Sequence, residues 1–251
     1  MAIDEALLNS FNPETSTPVL RLYGWNPPAF SLGRFQDAAT VLCLDRCREM
    51  QIPVVRRVTG GGAIYHAEEL TYSIVCSPHH LPPVATIKES FRVLTGFLLA
   101  FYRSLGISAC YAADSAPAGV ILGMRTPFCF AGRESYDIVI DGKKIGGNAQ
   151  RRLKSVIFQH GSIPMRDTLA AALGFLLERP MEIDDSVVHL AGVGVTDSPE
   201  DLKSRIAAAF ADCLGTSLDP AGLTAREREL AEALSIGKYA GDAWNVRGEE
   251  L

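Results

Sequence analysis

The chain has 251 residues, 47% of them hydrophobic, and a formal net charge of −5. This length allows a substantial core, and the lack of a basic excess argues against nucleic acid as the main partner. Apolar runs are too short for a membrane span, and acidic residues stand where a signal peptide needs a basic region. Six cysteines without a CxxC pair indicate reduced thiols, not a disulfide framework or a zinc site. The composition therefore predicts a cytoplasmic globular protein.

The first part of the chain combines helices with short strands. Helical periodicity of the apolar residues indicates the helices, and alternation of β-branched residues indicates the strands. In chain order they predict a helix over 2–9, strands over 19–23 and 29–33, a helix over 38–50, strands over 53–57, 64–66 and 70–76, a long amphipathic helix over 87–105, and a loop over 113–127.

The second part of the chain is built around a hairpin and ends in helices. The hairpin turn is Asp141-Gly142, a pair that tolerates positive φ. In chain order the sequence predicts a strand over 136–140, a return strand over 143–145, a glycine-rich corner over 146–149, a strand over 155–160 ended by Gly161, and helices over 165–177, 199–214 and 224–234.

Strands dominate the early part of the chain and helices the late part, without regular alternation. This pattern predicts an α+β fold with a mixed, largely antiparallel sheet flanked by helices, and it argues against a doubly wound parallel sheet. We expect one domain over residues 1–251, in which residues 198–251 form a helical C-terminal extension that packs on the rest.

Two glycine-rich segments are candidates for contact with a ligand. Gly60, Gly61 and Gly62 follow a predicted strand, where glycine weakens the strand but lets a ligand approach the backbone. Arg57 precedes them and could bind a carboxylate or a phosphate, although a plain turn with solvated arginines is the alternative. No Gly-Lys-Ser/Thr follows, so this is not a Walker loop. The second segment is 146–149.

Cys129 and Lys144 flank the hairpin that leads to the second glycine segment. Alone, the cysteine would more often be an inert buried thiol and the lysine a solvated charge. Together they indicate acyl chemistry, because a nearby ammonium favours the thiolate form of a cysteine and can stabilise an oxyanion. Lys143 is expected to face the other side of the strand and to be solvated.

Histidines are expected to support the site more than to catalyse. His66 lies on a short predicted strand as a hydrogen-bonding support, and His160 lies at a strand end, where it supports the structure or lines a substrate. His79 and His80 show no spacing typical of metal ligands, so no metal site is predicted.

Motifs occur along nearly the whole chain: MAIDEALL at 1–8, LRLYGWNPPAFSLGRFQ at 20–36, RRVTGGGAIYH at 56–66, KKIGGNAQRR at 143–152, FQHGSIP at 158–164 and KYAGDAWN at 238–245. In sequence and in order they resemble the motifs of the biotin/lipoate ligase-like family. The resemblance implies the class II synthetase-like catalytic fold of that family. It also implies that the glycine segments lie against an acyl group.

Within this family the chain resembles the cysteine-dependent octanoyltransferases of lipoate biosynthesis. Cys129-Phe130 occupies the region where ligases carry an Asn-Asp pair, although Gly62 is ligase-like. The resemblance implies that Cys129 accepts an octanoyl group from acyl carrier protein while Lys144 holds the oxyanion. The lysine of a lipoyl domain, such as that of glycine-cleavage H protein, then receives it. This chemistry implies no metal and no ATP.

The resemblance also implies a set of substrate-binding residues and leaves two alternatives open. The first alternative is a lipoate–protein ligase that forms lipoyl-adenylate with ATP and Mg²⁺, with Lys144 on the carboxylate and phosphate. The second is a non-catalytic protein that binds lipoylated or acylated carrier domains. The expected substrate-binding residues are Arg57, Gly60, Gly61, Gly62, His66, Gly146, Gly147, Asn148, Ala149, His160 and Gly161.

Overall fold

The computed structural model describes residues 1–83, 86–115, 122–123, 126–180, 183 and 186–250. The strands are β1 (Val19–Tyr23), β2 (Ala29–Leu32), β3 (Val54–Arg56), β4 (Ile64–His66), β5 (Glu69–Cys76), β6 (Cys110–Tyr111), β7 (Ile138–Ile140), β8 (Lys143–Lys144), β9 (Gly147–Leu153) and β10 (Val156–Pro164). The α-helices are α1 (Ala2–Ser10), α2 (Ala38–Val41), α3 (Leu44–Glu49), α4 (Ile87–Ser104), α5 (Ala112–Ser115), α6 (Leu169–Leu173), α7 (Pro199–Leu214), α8 (Ala225–Leu234) and α9 (Asp242–Asn245).

A four-stranded antiparallel sheet in the order β1-β5-β10-β9 forms the centre of the fold. Because side chains alternate along a strand, β5 presents Leu70, Tyr72 and Ile74 to one face, where side chains of α4 and α7 complete an apolar core. Thr71 and Ser73 point to the other face and are also buried. Val75, further along the same face, belongs to a second apolar cluster, so the sheet has an apolar core on one face and a mixed polar and apolar layer on the other.

The described strands also form two three-stranded sheets. In the first, β2 pairs in parallel with β3 and antiparallel with β4; in the second, β7 pairs antiparallel with β6 and β8. The predicted α+β class with a mixed, largely antiparallel arrangement is confirmed. Among the described helices, none has the length and apolar character needed to cross a membrane.

Local capping signals set where the longer helices begin. Thr86 and Glu89 form a capping box at the start of α4, and Thr224 and Glu227 form one at the start of α8. The Ser198 side chain caps α7. The late helices return to the early elements: α7 packs against α4, α8 against α1, and α9 against β3.

Two predicted helices are shorter than expected. The segment over 38–50 is two helices, because the chain between α2 and α3 is extended: Leu42 bridges to Leu176, and Cys43 N–H donates to Phe175 O at 2.8 Å. The helix predicted over 165–177 is shortened to α6, because its residues Phe175 and Leu176 make this contact instead of continuing the helix. Tertiary pairing overrides helical periodicity in both segments.

The corner predicted over 146–149 is wrong from Gly147 onward, because β9 starts there and pairs with β10. Likewise β10 continues through Gly161 to Pro164, beyond its predicted end. Pairing on both sides of β10 outweighs the weak strand tendency of these glycines. The short strand β6 was not predicted. Of the loop predicted over 113–127, residues 113–115 belong to α5, and residues 116–121, 124 and 125 lie outside the described residues.

Candidate active site

Cys129 opens a short 3-10 turn, Cys129–Ala131, directly after the buried Phe128. Two backbone hydrogen bonds tie it to the first glycine segment: Ala63 N–H donates to Pro127 O at 2.8 Å, and Cys129 N–H donates to Ala63 O at 2.9 Å. Phe128 belongs to an apolar cluster on the far side. The phenylalanine therefore anchors the backbone, while the thiol of Cys129 is free and half-buried.

Lys144 lies buried at the end of β8, whereas Lys143 is exposed, as alternation along the strand predicts. Lys144 Nζ donates to Cys129 O and to Gly132 O, each at 2.9 Å, and it lies 2.7 Å from Asp137 Oδ2. Burial alone lowers the pKa of Lys144, but the charges of Cys129 and Asp137 outweigh burial and raise the pKa above its ordinary value. The ammonium is thus charged, and its three N–H groups all meet protein oxygen atoms.

Asp137 is a residue of this site that sequence reasoning missed. Its Oδ2 also accepts a hydrogen bond from Glu134 N–H at 2.8 Å, so it is bound to both Lys144 and the segment after Cys129. The hairpin register could have revealed it. The tight turn places Val139 opposite Lys144, and Asp137, two residues from Val139, lies on the same face.

Arg57 organises the first glycine segment from a buried position. Its Nη1 donates to Ser31 O and Oγ, both at 2.7 Å, and its Nη2 donates to Gly60 O at 3.1 Å and Gly62 O at 2.9 Å. Its Nε has no partner among the described residues. Burial lowers the pKa of Arg57 to about 10, against the opposing effect of Cys129. The alternative of a solvated arginine beside a plain turn is therefore wrong.

Close approach to Cys129 explains two of the glycines. A Cβ on Gly62 would lie 2.7 Å from the Cys129 nitrogen, and a Cβ on Gly147 would lie 2.7 Å from the Cys129 sulfur. Gly61 and Gly146 have positive φ values of 95° and 80°, which favour glycine. These positions need glycine for the backbone path around the thiol.

Behind the second glycine segment, Tyr72 Oη donates to Asn148 Oδ1 at 2.7 Å. A Cβ on Gly161 would collide with both partners of this bond. Gly161 is therefore required so that β10 can pass the Tyr72–Asn148 contact, which lies on the core face of the sheet.

His66 connects two polar partners through its two ring nitrogens. Nε2 lies 2.6 Å from Ser31 Oγ, and Nδ1 lies 2.6 Å from Glu69 Oε1. Trp25 stacks on the imidazole with ring centroids 4.0 Å apart, and its indole N–H donates to Thr71 Oγ1. Both nitrogens of His66 are thus committed to protein partners.

His160 faces the polar side of the sheet, with Nε2 2.7 Å from Thr59 Oγ1. Burial, reinforced by the charges of Arg57 and His66, lowers the pKa of His160 to about 3. The ring is therefore neutral at neutral pH and presents no positive charge to a bound group.

Most of the predicted site residues meet at a pocket and an adjoining, larger cleft. Open solvent included, the pocket has an empty volume of about 390 Å³ and the cleft about 1120 Å³. Cys129 lines both, so the thiol lies at their junction. The pocket is lined by Arg57, Gly60, Gly61, His66, Cys129, Gly147, Asn148, Ala149, His160 and Gly161, and the cleft by Gly60, Gly61, Gly62, Cys129, Lys144 and Asn148.

Gly146 lines neither space; it turns the chain between β8 and β9. The pocket wall also includes Trp25, Ile64, Thr71 and Ser162, which sequence reasoning did not single out. Ser162 could have been predicted from the sequence, because it lies two residues from His160 and therefore on the same face of the strand. Within the described part of the chain, no group of three or more His, Cys, Asp or Glu side chains is arranged to hold a metal ion.

Comparison with known sequences points to one enzyme family. A family model described as the lipoyl protein ligase A/B catalytic domain matches residues 1–211. The chain is similar to octanoyltransferases LipM of Kyrpidia tusciae (37% identity), Geobacillus kaustophilus (34%) and Bacillus subtilis (32%), in each case over 98% of this chain and 93% of the relative.

Solved structures agree with this family. A bipartite lipoate protein ligase from Thermoplasma acidophilum, described with its E2 lipoyl domain, superposes with a TM-score of 0.80 at 25% identity and covers 100% of this chain and 91% of its own. A lipoate-protein ligase A bound with ATP superposes with a TM-score of 0.81 at 25% identity, covering 98% and 92%. With its sequence motifs, its fold and its glycine-lined pocket in agreement, the chain belongs to the lipoyl protein ligase A/B catalytic-domain family.

Proposed function

We propose that the chain is an octanoyltransferase of lipoate assembly. It moves an octanoyl group from acyl carrier protein, through Cys129, to the lysine of a lipoyl domain such as that of glycine-cleavage H protein. The observation that carries this proposal is the free thiol of Cys129 at the junction of the pocket and the cleft. The mostly apolar pocket suits an acyl chain, and the cleft suits an arm carried by a protein. Relatives named octanoyltransferase LipM, similar over 93% of their length, support it.

The reaction proceeds in two acyl transfers. In the first, the Cys129 thiolate attacks the carbonyl carbon of the donor thioester, a C–S bond to Cys129 forms, and the C–S bond to the donor breaks, so that the donor leaves as a thiolate and takes a proton from solvent. In the second, the neutral amine of the acceptor lysine attacks the acyl-enzyme, an amide bond forms, and Cys129 leaves as a thiolate while the amine releases a proton. Because the acyl group arrives activated as a thioester, neither step requires ATP or a metal.

Lys144 supports these steps through its charge and through the backbone it holds. In this buried setting, its positive charge stabilises the negative charge that develops on the thioester oxygen during attack. All three N–H groups, however, already meet Cys129 O, Gly132 O and Asp137. A direct hydrogen bond to the oxyanion therefore requires the ammonium to release one of the two carbonyls.

A lipoate–protein ligase is the second candidate. It is favoured by the solved neighbours, which are lipoate–protein ligases, one of them bound with ATP. In a ligase, a free acid would be activated as an adenylate with ATP and Mg²⁺. Lys144 would then contact the carboxylate and phosphate, and Cys129 would have no covalent role.

Intact-protein mass spectrometry after incubation with octanoyl-acyl carrier protein, without ATP, separates these candidates. The transferase is expected to gain one octanoyl group, which maps to Cys129 and is lost with hydroxylamine because thioesters are cleaved and amides resist. Cys129→Ala is expected to gain none, whereas Cys213→Ala, at an exposed thiol, is the matched control and should acylate normally.

Two results would contradict the transferase. Full lipoylation of an acceptor by Cys129→Ala with ATP and free lipoate would identify a ligase. A protein that binds acylated carrier domains but neither acquires nor transfers an acyl group under either condition would be the non-catalytic binder.

A further inference from the structure

An ion pair from the β7–β8 hairpin holds residues 129–134, here called the cysteine segment, at three points. Lys144 Nζ donates to the backbone oxygens of Cys129 and Gly132, each at 2.9 Å, and Asp137 Oδ2 accepts from Glu134 N–H at 2.8 Å. The two charged groups are 2.7 Å apart. The cation thus binds carbonyl oxygens and the anion binds an N–H, so each charge matches the backbone group that it meets.

Stability alone does not explain this pair. Lys144 is 2% and Asp137 3% exposed, and removing two charges from water cancels much of their attraction. Buried pairs are often replaced by apolar side chains without loss of stability, and the neighbours Ile138, Val139 and Ile140 are such side chains. What the pair provides instead is a fixed position for the backbone of Cys129.

The sulfur of Cys129 has little room to move. Gly147 passes so close that an added Cβ would lie 2.7 Å from Sγ. Reacting groups work only within about 0.5 Å of the productive geometry. A small displacement of the cysteine segment therefore misaligns the sulfur.

We propose that Asp137 is a positioning residue for acyl transfer: it orients the Lys144 ammonium onto the Cys129 and Gly132 carbonyls and so fixes the approach of the sulfur to the thioester. This inference rests on the proposed function. Replacing the carboxylate by an amide removes the counter-charge of a buried ammonium and favours the neutral amine. The amine holds the two carbonyls more weakly, and the cysteine segment is released.

Asp137→Asn tests this role with little change in shape. We expect the rate of Cys129 acylation at saturating donor to fall about 100-fold, as for a small misplacement of a reacting group, with the donor KM within about twofold of the parent. Asp141→Asn makes the same substitution at an exposed position of the same hairpin and should acylate at the parent rate. Melting curves of both variants verify the fold.

A double-mutant cycle distinguishes positioning from an independent effect. Because Asp137 acts through Lys144, adding Asp137→Asn to Lys144→Met should cause no further loss of acylation rate. Losses that multiply, an unchanged rate in the single variant, or a loss confined to KM would each overturn the proposal.

Alkylation of Cys129 by iodoacetamide, followed by peptide mass spectrometry, tests the effect of Asp137 on the thiol without an acyl donor. Alkylation should be slower in Asp137→Asn than in Asp141→Asn, because a neutral Lys144 amine no longer favours the reactive thiolate. Equal rates would overturn the role of Asp137. If the two variants differ in this way but the parent protein never takes up an octanoyl group, the proposed function is overturned instead.

Discussion

At the scale of single residues, Gly147 decides how close the backbone of β9 can come to the Cys129 sulfur. It begins a strand, where glycine is otherwise unfavourable, and its missing side chain leaves the space that Sγ occupies. The requirement is steric, because Gly147 has no positive φ that would demand glycine.

Gly147→Ala is expected to lower the rate of Cys129 acylation by about 100-fold or more, because the sulfur must rotate away from the new methyl group. The strand pairing with β10 remains, so the melting temperature should change far less than the rate. Gly222→Ala, where a Cβ meets nothing within 4 Å, is the control. Equal acylation rates in both variants would show that the contact does not position the sulfur.

At the scale of elements, Arg56 joins β3 to the C-terminal segment. It is 1% exposed, so a solvated arginine is wrong at this position also. Among the described residues its guanidinium donates to backbone carbonyls, and the indole of Trp244 donates in return to Arg56 O at 2.9 Å. The carbonyls bound by Arg56 are those of Gly33, Arg34, Gln36, Trp244 and Val246.

Arg56→Lys should lower the free energy of unfolding by roughly 3 kcal/mol. An ammonium cannot reach both the carbonyls of residues 33–36 and those of residues 244–246, so some of them would be left buried and unpaired. Urea unfolding measures the change. Arg48→Lys, at an exposed ion pair with Asp45, should change it by less than about 1 kcal/mol. Similar losses at the two positions would contradict the bridging role of Arg56.

At the scale of the whole molecule, the buried His160 makes stability depend on pH. Its pKa is about 3 in the folded protein, because of burial and the nearby Arg57, and about 6.5 when unfolded. Between these values the unfolded chain binds more protons, so stability is present above pH 6.5 and is lost as the pH falls towards 3.

We expect the parent to lose about 2 kcal/mol of unfolding free energy through His160 between pH 7 and pH 5. His160→Gln removes the titrating group, so its loss over the same interval should be smaller by about that amount. Urea unfolding at the two pH values measures both. An unchanged pH dependence in the variant would show that His160 is not held neutral.

The sequence by itself determined the α+β class, the longer helices and the two residues proposed for catalysis. Amphipathic periodicity identified α4, and side-chain caps at Ser198 and Thr224 identified the starts of α7 and α8. Alternation along the return strand of the hairpin predicted that Lys144 is buried and Lys143 exposed, because neighbours on a strand face opposite sides. These features depend on residues close together in the chain.

Only the tertiary structure decided which distant segments meet, and this changed both fold and site. Residues 147–149 became strand because β10 supplied a partner, and the helix over 38–50 was interrupted because Phe175 lay beside Cys43. The buried roles of Arg56 and Arg57 depend on acceptors that other segments bring to them. Local sequence cannot reveal such acceptors, because a side chain's burial and hydrogen bonds depend on which residues the fold places next to it.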